Sequence, residues 1–278
     1  MSHPPVEVDR TDQKPEAYLQ SAGHIFQVID NGSGNLSYGV QINQDRYFVK
    51  TAGDPNAVVH HQDLSARIEW LRTAIQIHTS YTHPSLTVLH NVIESPDGPM
   101  LIYEWVDGEC LGVGREHRDN PESAFQRFKH LPAEQILKTL DIIYKIHRDL
   151  SALGWIAVDF YDGTLIYDFD RQKMRIMDLD LYHQGPFTNK KGRMFGSSRF
   201  MAPEEFQKGE RIDECTNVFT MGRTAVVLLS DGTLERTPFR GSDDLFNVIQ
   251  RACAEKRSAR FPSMQAFHTA WTEARAQA

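Results

Sequence analysis

A glycine-rich segment near the start of the chain contains the residue types that bind an anion through backbone amides. It runs from residue 31 to residue 39, and Gly32 and Gly34 allow phosphate oxygens to approach the backbone N–H groups closely. A glycine-rich hairpin that serves only as a turn has the same composition. The segment therefore indicates phosphate binding only in combination with other residues.

Alternating and helical patterns predict the elements that would hold this segment in place. Strands are expected at residues 25–29, 38–42, 46–50, 86–94 and 99–106, and helices at residues 64–77, 133–153, 216–229 and 243–255. Short strands dominate the first part of the chain and long helices follow. This order predicts an α+β fold that begins with a five-stranded antiparallel sheet and continues with a helical region.

Composition and charge exclude several classes of protein. The 278 residues are 40% hydrophobic and 24% charged, as in a globular protein that buries a large core, and the net charge of −7 disfavours a nucleic-acid binder. Residues 1–22 form a polar arm without the apolar core of a signal peptide, and no apolar run reaches the ~20 residues of a membrane helix. The scattered Cys110, Cys215 and Cys253 form no CxxC pair, which argues against a zinc site or a disulfide framework and favours a cytoplasmic location.

The most specific motif is Gly-Ser-Ser-Arg-Phe-Met-Ala-Pro-Glu at residues 196–204. It resembles the Gly-Thr-x-x-Tyr-Met-Ala-Pro-Glu segment that closes the activation loop of eukaryotic-like Ser/Thr protein kinases. The resemblance implies a bilobal fold, with an N-lobe and hinge at residues 23–106 and a helical C-lobe at residues 107–278. It also implies ATP and Mg²⁺ as cofactors, and transfer of the γ-phosphate to a Ser or Thr hydroxyl of a protein substrate.

The resemblance assigns residues of the first lobe to nucleotide binding. Lys50 matches the lysine that neutralises the α- and β-phosphates, and Glu69, the only acid in residues 66–77, matches the ion-pair partner of that lysine. The other matches are backbone roles, which fall to Gly32 and Gly34 in the phosphate loop and to the Glu104 carbonyl and the Val106 amide facing adenine in the hinge.

One neighbour of Lys50 departs from the family pattern. Phe48 stands on the same face of the predicted strand, where the family has a small alanine beside adenine. Its ring would either swing aside and stack on the base or partly fill the pocket.

Two aspartates compete for the role of the catalytic base. Residues 146–150 are Ile-His-Arg-Asp-Leu, which matches the sequence of a kinase catalytic loop. If Asp149 were the catalytic aspartate, the next candidate for the metal-binding aspartate would be Asp159, only ten residues later. The path from a catalytic aspartate through a hairpin to the metal-binding aspartate needs at least ~15 residues. Asp159 meets this requirement because Asp178 follows nineteen residues later, so Asp159 is matched to the base that orients the attacking hydroxyl. Asp149 is then expected in a helix that Gly154 caps.

The same register assigns the metal ligands. Asp178 matches the Mg²⁺-binding aspartate, and Asp180 and Thr164 would help where the family has a glycine and an asparagine. Val158 replaces the arginine that precedes the catalytic aspartate, so the resemblance is to a divergent member that lacks this anchor for a phosphorylated loop.

Two rival functions stay open: an ATP-binding pseudokinase scaffold, and a small-molecule kinase of the antibiotic type. The segment at 196–204 counts against the second rival, because such enzymes need no protein-docking loop.

Two further expectations concern the protein substrate. Lys190, Lys191 and Arg193 make the predicted activation loop basic, which would attract acidic segments of a substrate, although a solvated loop has the same composition. Glu204 is expected to form a buried ion pair with Arg260 that ties the docking segment to the last helices.

Overall fold

The computed structural model of this protein describes residues 6–30, 32–57 and 62–277. These residues form a mixed α+β structure with a five-stranded antiparallel sheet and seven α-helices, which confirms the predicted fold class at this level. The chain divides into two compact units, one comprising Met1–Asp107 with Asp178–Asp180 and the other Gly108–Met177 with Leu181–Ala278. Asn31 of the predicted phosphate loop and residues 1–5 of the predicted arm lie outside the described residues.

The first unit is built on the five-stranded sheet. Its elements are α1 (Pro15–Ala22), β1 (His24–Asp30), β2 (Leu36–Ile42), β3 (Asp45–Thr51), α2 (Leu64–Ser80), β4 (Leu89–Ser95) and β5 (Gly98–Glu104). The strand order is β1-β2-β3-β5-β4, and each neighbouring pair is antiparallel. The fourth strand starts at Leu89, three residues later than the sequence pattern predicts. The segment before it forms a turn in which the Leu86 amide donates to the His83 carbonyl (2.9 Å).

Side chains on alternate positions of the strands fill two separate hydrophobic clusters, one on each face of the sheet. The first cluster contains Tyr38, Val40, Val49, Ile93, Met100 and Ile102 together with Leu19 of α1. In the second, Leu71 and Ala74 of α2 pack against Leu101 and Tyr103 of β5. The sheet is therefore covered by α1 on one side and by α2 on the other.

The segment predicted as a polar arm is part of this packing. The side-chain amide of Asn91 in β4 donates to the carbonyls of Val6 and Val8 (2.7 and 2.9 Å), and both valines pack against the first cluster. Leu19 is almost completely buried. Residues 6–22 thus extend the hydrophobic core of the sheet.

The second unit is mainly helical and contains short paired strands. Its elements are β6 (Glu109–Cys110), α3 (Ala124–Lys129), α4 (Ala133–Ala152), β7 (Trp155–Ile156), β8 (Leu165–Asp168), β9 (Lys173–Ile176), β10 (His183–Gln184), β11 (Phe187–Thr188), β12 (Arg211–Ile212), α5 (Glu214–Leu229), α6 (Asp243–Ala252) and α7 (Met264–Gln277). Three of the strands form a sheet in the order β6-β8-β9, and the other four pair as β7 with β10 and β11 with β12.

Helix α4 is the centre of the second unit. The hydroxyl of Tyr144 donates to the Met221 carbonyl of α5 (3.0 Å), and the Tyr144 ring meets those of Phe267 and Trp271 in α7 edge-on at 4.9 Å. The apolar stripe that predicts this helix is therefore its packing face. The C-cap residue of the helix is Leu153, one residue before the predicted Gly154. Gly154 follows with a left-handed φ of 85°, the conformation that favours glycine just after a helix.

The cysteines and the helices bear on two expectations from composition. Cys110, Cys215 and Cys253 are free thiols. Across the described ranges, no helix has both the length and the apolarity needed to cross a membrane.

Candidate functional site

Lys50 and two aspartates come together in the first unit. The Lys50 ammonium lies 2.6 Å from Oδ1 of Asp178 and 2.5 Å from Oδ2 of Asp180. The side chains of Lys50 and Asp180 are 13% and 5% exposed, whereas that of Asp178 is 41% exposed. Three of the residues predicted for the site are therefore in direct contact, and one of them faces solvent.

The electrostatics of this cluster follow from burial and charge. Burial would lower the pKa of Lys50, but Asp178 and Asp180 outweigh it and raise that pKa above its ordinary value. Burial has the opposite effect on a carboxylate and raises the pKa of Asp180, although the positive charge of Lys50 works against this shift. Oδ1 of Asp180 is buried without a hydrogen-bond partner among the described residues. When all three groups are ionised, the two carboxylates exceed the one ammonium, so the cluster attracts a further cation.

Glu69, the predicted partner of Lys50, lies exposed on α2. The buried face of α2 is formed by Arg67, Leu71 and Ala74. Glu69 is two positions after Arg67, about 200° further around the helix, and therefore points away from that face. Within the described part of the chain the ion-pair partners of Lys50 are Asp178 and Asp180, so the structure does not join Glu69 to Lys50.

Aromatic side chains cover the sheet next to Lys50. Phe48 packs in the cluster of α2 and β5, with its ring 6.3 Å from that of Tyr103. Directly opposite Phe48 in the β2–β3 register is Gly39, where an added Cβ would lie 2.6 Å from Phe26 and 2.9 Å from Trp105. Phe26 and Trp105 meet edge-on at 4.9 Å across this position. The rings of Phe26 and Trp105 therefore limit the free space above Gly39.

The glycine loop between β1 and β2 has the backbone conformation that its sequence requires. Gly32 and Gly34 have φ angles of 71° and 90°, which are left-handed. The Gly32 amide donates to the Asp30 carboxylate at 2.8 Å, and the Asn35 amide makes a longer contact, 3.4 Å, with the Ser33 hydroxyl. The loop therefore uses these two amides internally, one strongly and one weakly.

The predicted hinge follows β5. The Glu104 amide donates to the Val88 carbonyl (2.9 Å) and the Trp105 amide to the Arg46 carbonyl (3.3 Å), so these two amides are held by neighbouring strands and loops. Val106 lies two residues beyond the end of β5. The roles of the Glu104 carbonyl and the Val106 amide toward adenine stay predictions.

Asp159 lies in the second unit, just after β7. With Gly196 and Glu205 it lines a small cavity that has room for a water molecule. The next residue, Phe160, is buried and its ring meets the ring of His147 at 4.4 Å. The predicted base is thus anchored on one side by α4 and faces the predicted docking segment on the other.

Asp159 and Asp178 share an uncommon backbone conformation. Their φ angles are 63° and 64°, and among the described non-glycine residues only Asn43 and Gln172 also have positive φ. Asn43 and Gln172 lie in the turns of the β2–β3 and β8–β9 hairpins, where the turn itself demands this conformation. At Asp159 and Asp178 no hairpin explains it, and such strain tends to be kept at functional positions.

Thr164 and the neighbouring Asp162 are engaged within the second unit. The Thr164 hydroxyl donates to the Tyr161 carbonyl (2.8 Å). Oδ2 of Asp162 lies 2.5 Å from Nη2 of Arg199, in the predicted docking segment. Burial raises the pKa of Asp162, and Arg199 opposes this shift. In the part of the chain that the structure describes, no group of three or more His, Cys, Asp or Glu residues is arranged to hold a metal ion.

The rejected motif at 146–150 lies within α4, as the spacing predicts. Asp149 is paired with Lys145 one turn earlier (3.0 Å) and with Arg148 (2.5 Å). His147 is buried, bonded to the Ile143 carbonyl and the Tyr182 hydroxyl, each at 2.8 Å. These residues support the helix and the packing behind Asp159.

The predicted ion pair of Glu204 and Arg260 is confirmed. Two nitrogens of Arg260 bind the two carboxylate oxygens of Glu204 at 2.7 and 3.0 Å, with both side chains buried. Arg257 and Thr216 add bonds to Oε1 of Glu204 at 2.6 and 3.0 Å. The adjacent Glu205 accepts the Ala202 amide (2.6 Å), and burial raises its pKa to about 8, with Glu204 and Asp159 contributing.

Three residues of these sites were not found from the sequence. Arg67 interrupts the apolar stripe of α2, and a charged residue at such a position was a signal that it is buried. Arg199 and Glu205 stand inside and directly after the motif at 196–204, but nothing in the sequence shows that they pair with or approach the loop of Asp159.

Comparisons with known proteins give one distant similarity. No protein-family model matches the chain. A calcium and calcium/calmodulin-dependent serine/threonine-protein kinase of Oryza sativa subsp. japonica is 26% identical over 155 residues. The match covers 53% of this chain and 27% of that kinase, so the chain spans little more than a quarter of the length of the relative. The similarity supports a kinase-like transferase at a coarse level.

Proposed function

We propose that this protein is a bilobal, ATP- and Mg²⁺-dependent phosphotransferase that passes the γ-phosphate to a Ser or Thr hydroxyl of a protein substrate. The proposal rests above all on the contact of Lys50 with Asp178 and Asp180. An ammonium that neutralises phosphates and carboxylates that bind a divalent cation are the main electrostatic parts of phosphoryl transfer. The distant similarity to a Ser/Thr kinase supports the same reaction class.

The carboxylates present suit Mg²⁺. Asp178 is partly open to solvent, and Oδ1 of Asp180 is a buried oxygen without a hydrogen-bond partner in the described structure. Mg²⁺ is commonly held by one or two carboxylates, while phosphate oxygens and water complete its shell. Two aspartates are therefore enough. Thr164 is the weakest proposed ligand, because its hydroxyl is already bonded to the Tyr161 carbonyl.

In the first unit, nucleotide binding would change the partners of Lys50. Phosphate oxygens would compete with the exposed carboxylate of Asp178 for the ammonium, while the buried Asp180 keeps Lys50 in place. The loop at Gly32 and Gly34 would bind phosphate through backbone amides. Mg²⁺ held by the released carboxylate would neutralise charge that develops on the transferred group.

In the second unit, Asp159 would orient the substrate hydroxyl and accept its proton. The docking surface would be the segment at 196–204, which the buried pair of Glu204 and Arg260 fixes. Lys190, Lys191 and Arg193 lie in the same stretch of chain, and their charge favours acidic segments of the substrate.

A nucleotide-binding scaffold without turnover is the second candidate. It is favoured by Thr164, whose hydroxyl is directed to a carbonyl, and by Phe48, which packs beside Tyr103 on the face of Lys50. Such a protein would bind ATP through Lys50 and transfer nothing.

A phosphate-transfer assay with matched variants separates these functions. The full chain is incubated with γ-labelled ATP, Mg²⁺ and a library of Ser- and Thr-containing peptides, beside Asp159→Asn and the control Asp149→Asn, whose carboxylate is paired inside α4. Label transfer that is lost in Asp159→Asn and kept in Asp149→Asn is the expected result.

Melting curves with ATP, with and without Mg²⁺, are recorded on the same samples, since a bound ligand raises the melting temperature. If ATP and Mg²⁺ stabilise the protein but no label is transferred, the scaffold function remains. If ATP does not stabilise the protein at all, both functions are overturned.

A further inference from the structure

Arg67 of α2 is a fully buried cation, and its hydrogen-bond partners among the described residues are all backbone carbonyls. Its exposed fraction is 0%. The five N–H groups of a guanidinium are matched here by five oxygens: Nε donates to Asp63 (3.3 Å), Nη1 to Gly34 (2.6 Å) and Ala52 (2.5 Å), and Nη2 to Asp54 (2.8 Å) and Ala57 (2.9 Å). A buried charge is tolerated only when its hydrogen bonds are satisfied in this way.

Among the described residues, no carboxylate is bonded to the Arg67 guanidinium. The nearby carboxylate of Asp63 accepts the Ala66 amide (2.9 Å) and the Ser65 hydroxyl (2.8 Å), and its charge partly balances that of Arg67. The carbonyl oxygens that surround the guanidinium stabilise it as dipoles. Arg67 therefore acts on the glycine loop through its bonds to the backbone.

Arg67 also locks the glycine loop to the segment that follows β3. A Cβ added at Gly34 would lie 2.9 Å from Cδ of Arg67, and one added at Gly53 would lie only 2.0 Å from the Gly34 carbonyl oxygen. Both glycines have left-handed φ angles, 90° and 74°. Gly34, Gly53 and Arg67 are thus interlocked, and none of the three tolerates a larger or differently shaped group without movement of the loop.

The direction of one peptide bond follows from this lock. Since the C=O and N–H of a trans peptide point in opposite directions, holding the Gly34 carbonyl on Arg67 turns the Asn35 amide away from the guanidinium. Within the described part of the loop, that amide makes only the 3.4 Å contact with the Ser33 hydroxyl. A charged phosphate oxygen forms a shorter and stronger bond to an amide than a hydroxyl at this distance.

We propose that Arg67 is a positioning residue for the phosphate groups of the nucleotide. It fixes the Gly34 peptide so that the following amide is presented to an anion. This role rests on the proposed function, because it needs a nucleotide at the glycine loop.

Two variants test the role from different sides. Arg67→Lys keeps the positive charge but has three donors instead of five, and Gly53→Ala displaces the Gly34 carbonyl while leaving Arg67 unchanged. The control is Arg72→Lys, one and a half turns along α2, whose guanidinium pairs with Glu94 at 2.5 Å and is 41% exposed. For each full-length variant, the dissociation constants of ATP and of adenosine are measured by titration calorimetry. Where one variant does not fold, the other decides.

The expected result is a split between the two ligands. Arg67→Lys and Gly53→Ala should bind ATP ~10-fold more weakly or worse, while adenosine changes by less than ~2-fold and Arg72→Lys matches the parent. An equal loss for ATP and adenosine would show a merely structural role and overturn the proposal.

Hydrogen exchange of residues 32–36 in the nucleotide-free protein separates this proposal from the proposed function. The amides of the loop should exchange faster in both variants than in the parent, whether or not the protein binds ATP. If the parent binds no ATP, the proposed function fails and the exchange rates alone decide whether Arg67 positions the loop. Unchanged exchange rates would overturn the positioning role.

Discussion

The Lys50 ammonium and the Asp180 carboxylate form a buried ion pair with 2.5 Å between Nζ and Oδ2. Asp178 binds the same ammonium at 2.6 Å, but its side chain is 41% exposed against 5% for Asp180. The two carboxylates therefore differ in what they can do. Asp180 holds Lys50 in a fixed position, whereas Asp178 can exchange Lys50 for an ion or ligand from solvent.

Removing Lys50 should strand the buried carboxylate of Asp180. Lys50→Met is therefore expected to lower the free energy of unfolding by about 3–5 kcal/mol, whereas Asp180→Asn should cost less because Asp178 still binds the ammonium, and the double variant should lose less than the sum. Urea unfolding of the four proteins measures this coupling. The same cycle on the half-exposed pair Arg72–Glu94 serves as the control and should give about 0–1 kcal/mol. Additive losses at Lys50 and Asp180 would contradict the pairing.

Local patterns predict most of the elements that carry the site. Strands β1 to β3 and helix α4 follow from alternation and from a helical apolar stripe, and their observed ends lie within a few residues of the predicted ones. The position of residues 146–150 inside α4 also follows from spacing, because the chain after Asp149 is too short to form a hairpin before the next aspartate. These features depend on the order of residues along the chain alone.

Contacts between distant residues are harder to predict. Asp180 pairs with Lys50 where Glu69 was expected, because the rotation of α2 is set by the packing of Leu71 and Ala74 and by the burial of Arg67. Periodicity places Arg67 on the buried face of α2, but it does not identify the partner of a charged residue. The left-handed conformation of Asp159 and Asp178 is likewise set by tertiary structure, since aspartate has no strong preference for it.

The pair of Glu204 and Arg260 should contribute more to stability than the neighbouring Arg257. Arg260 is completely buried, whereas the side chain of Arg257 is 27% exposed. Arg260→Met is expected to cost about 3 kcal/mol or more, because it leaves a buried carboxylate with fewer partners. Arg257→Met should cost about 1 kcal/mol, since water can replace part of its bonding. Denaturant unfolding of both variants checks the order, and a larger loss for Arg257→Met would contradict it.

Glu205 should make the protein less stable as the pH rises. Burial raises its pKa in the folded state to about 8 from an ordinary 4.5, so between these values the folded chain keeps a proton that the unfolded chain has released. Stability from this group is therefore complete at low pH and is lost as the pH rises toward and through the folded-state pKa, by up to ~1.4 kcal/mol per pH unit.

Glu205→Gln tests this dependence with little change of shape. The glutamine carbonyl can still accept the Ala202 amide, as the Glu205 carboxyl does at 2.6 Å. The variant should match the parent at about pH 5 and exceed it in unfolding free energy at about pH 9. Glu210→Gln, on the exposed surface, controls for the loss of one charge. If the difference between Glu205→Gln and the parent does not grow with pH, Glu205 is not a buried neutral acid.

Asp162 and Arg199 connect the loop of Asp159 to the proposed docking segment at 196–204. Their side chains are 2% and 23% exposed and meet at 2.5 Å, and the guanidinium also lies over the rings of Phe125 and Phe200 at 5.3 and 5.1 Å. Arg199→Met removes the charge but keeps an apolar contact with the rings. It should therefore loosen the link between the two segments and lower kcat/KM for the protein acceptor ~10-fold or more.

The affinity of Arg199→Met for ATP should stay within ~2-fold of the parent, because Lys50, Asp178 and Asp180 belong to the other unit. Steady-state kinetics with varied acceptor and calorimetry with ATP give the two values. The double variant Arg199→Met/Asp162→Asn provides the control for the stranded carboxylate, whose pKa burial already raises. It should recover part of the lost stability without recovering transfer, since the bond between the segments is still missing. A full recovery of transfer would mean that only the buried charge of Asp162 mattered, and that Arg199 does not hold the proposed docking segment against the loop of Asp159.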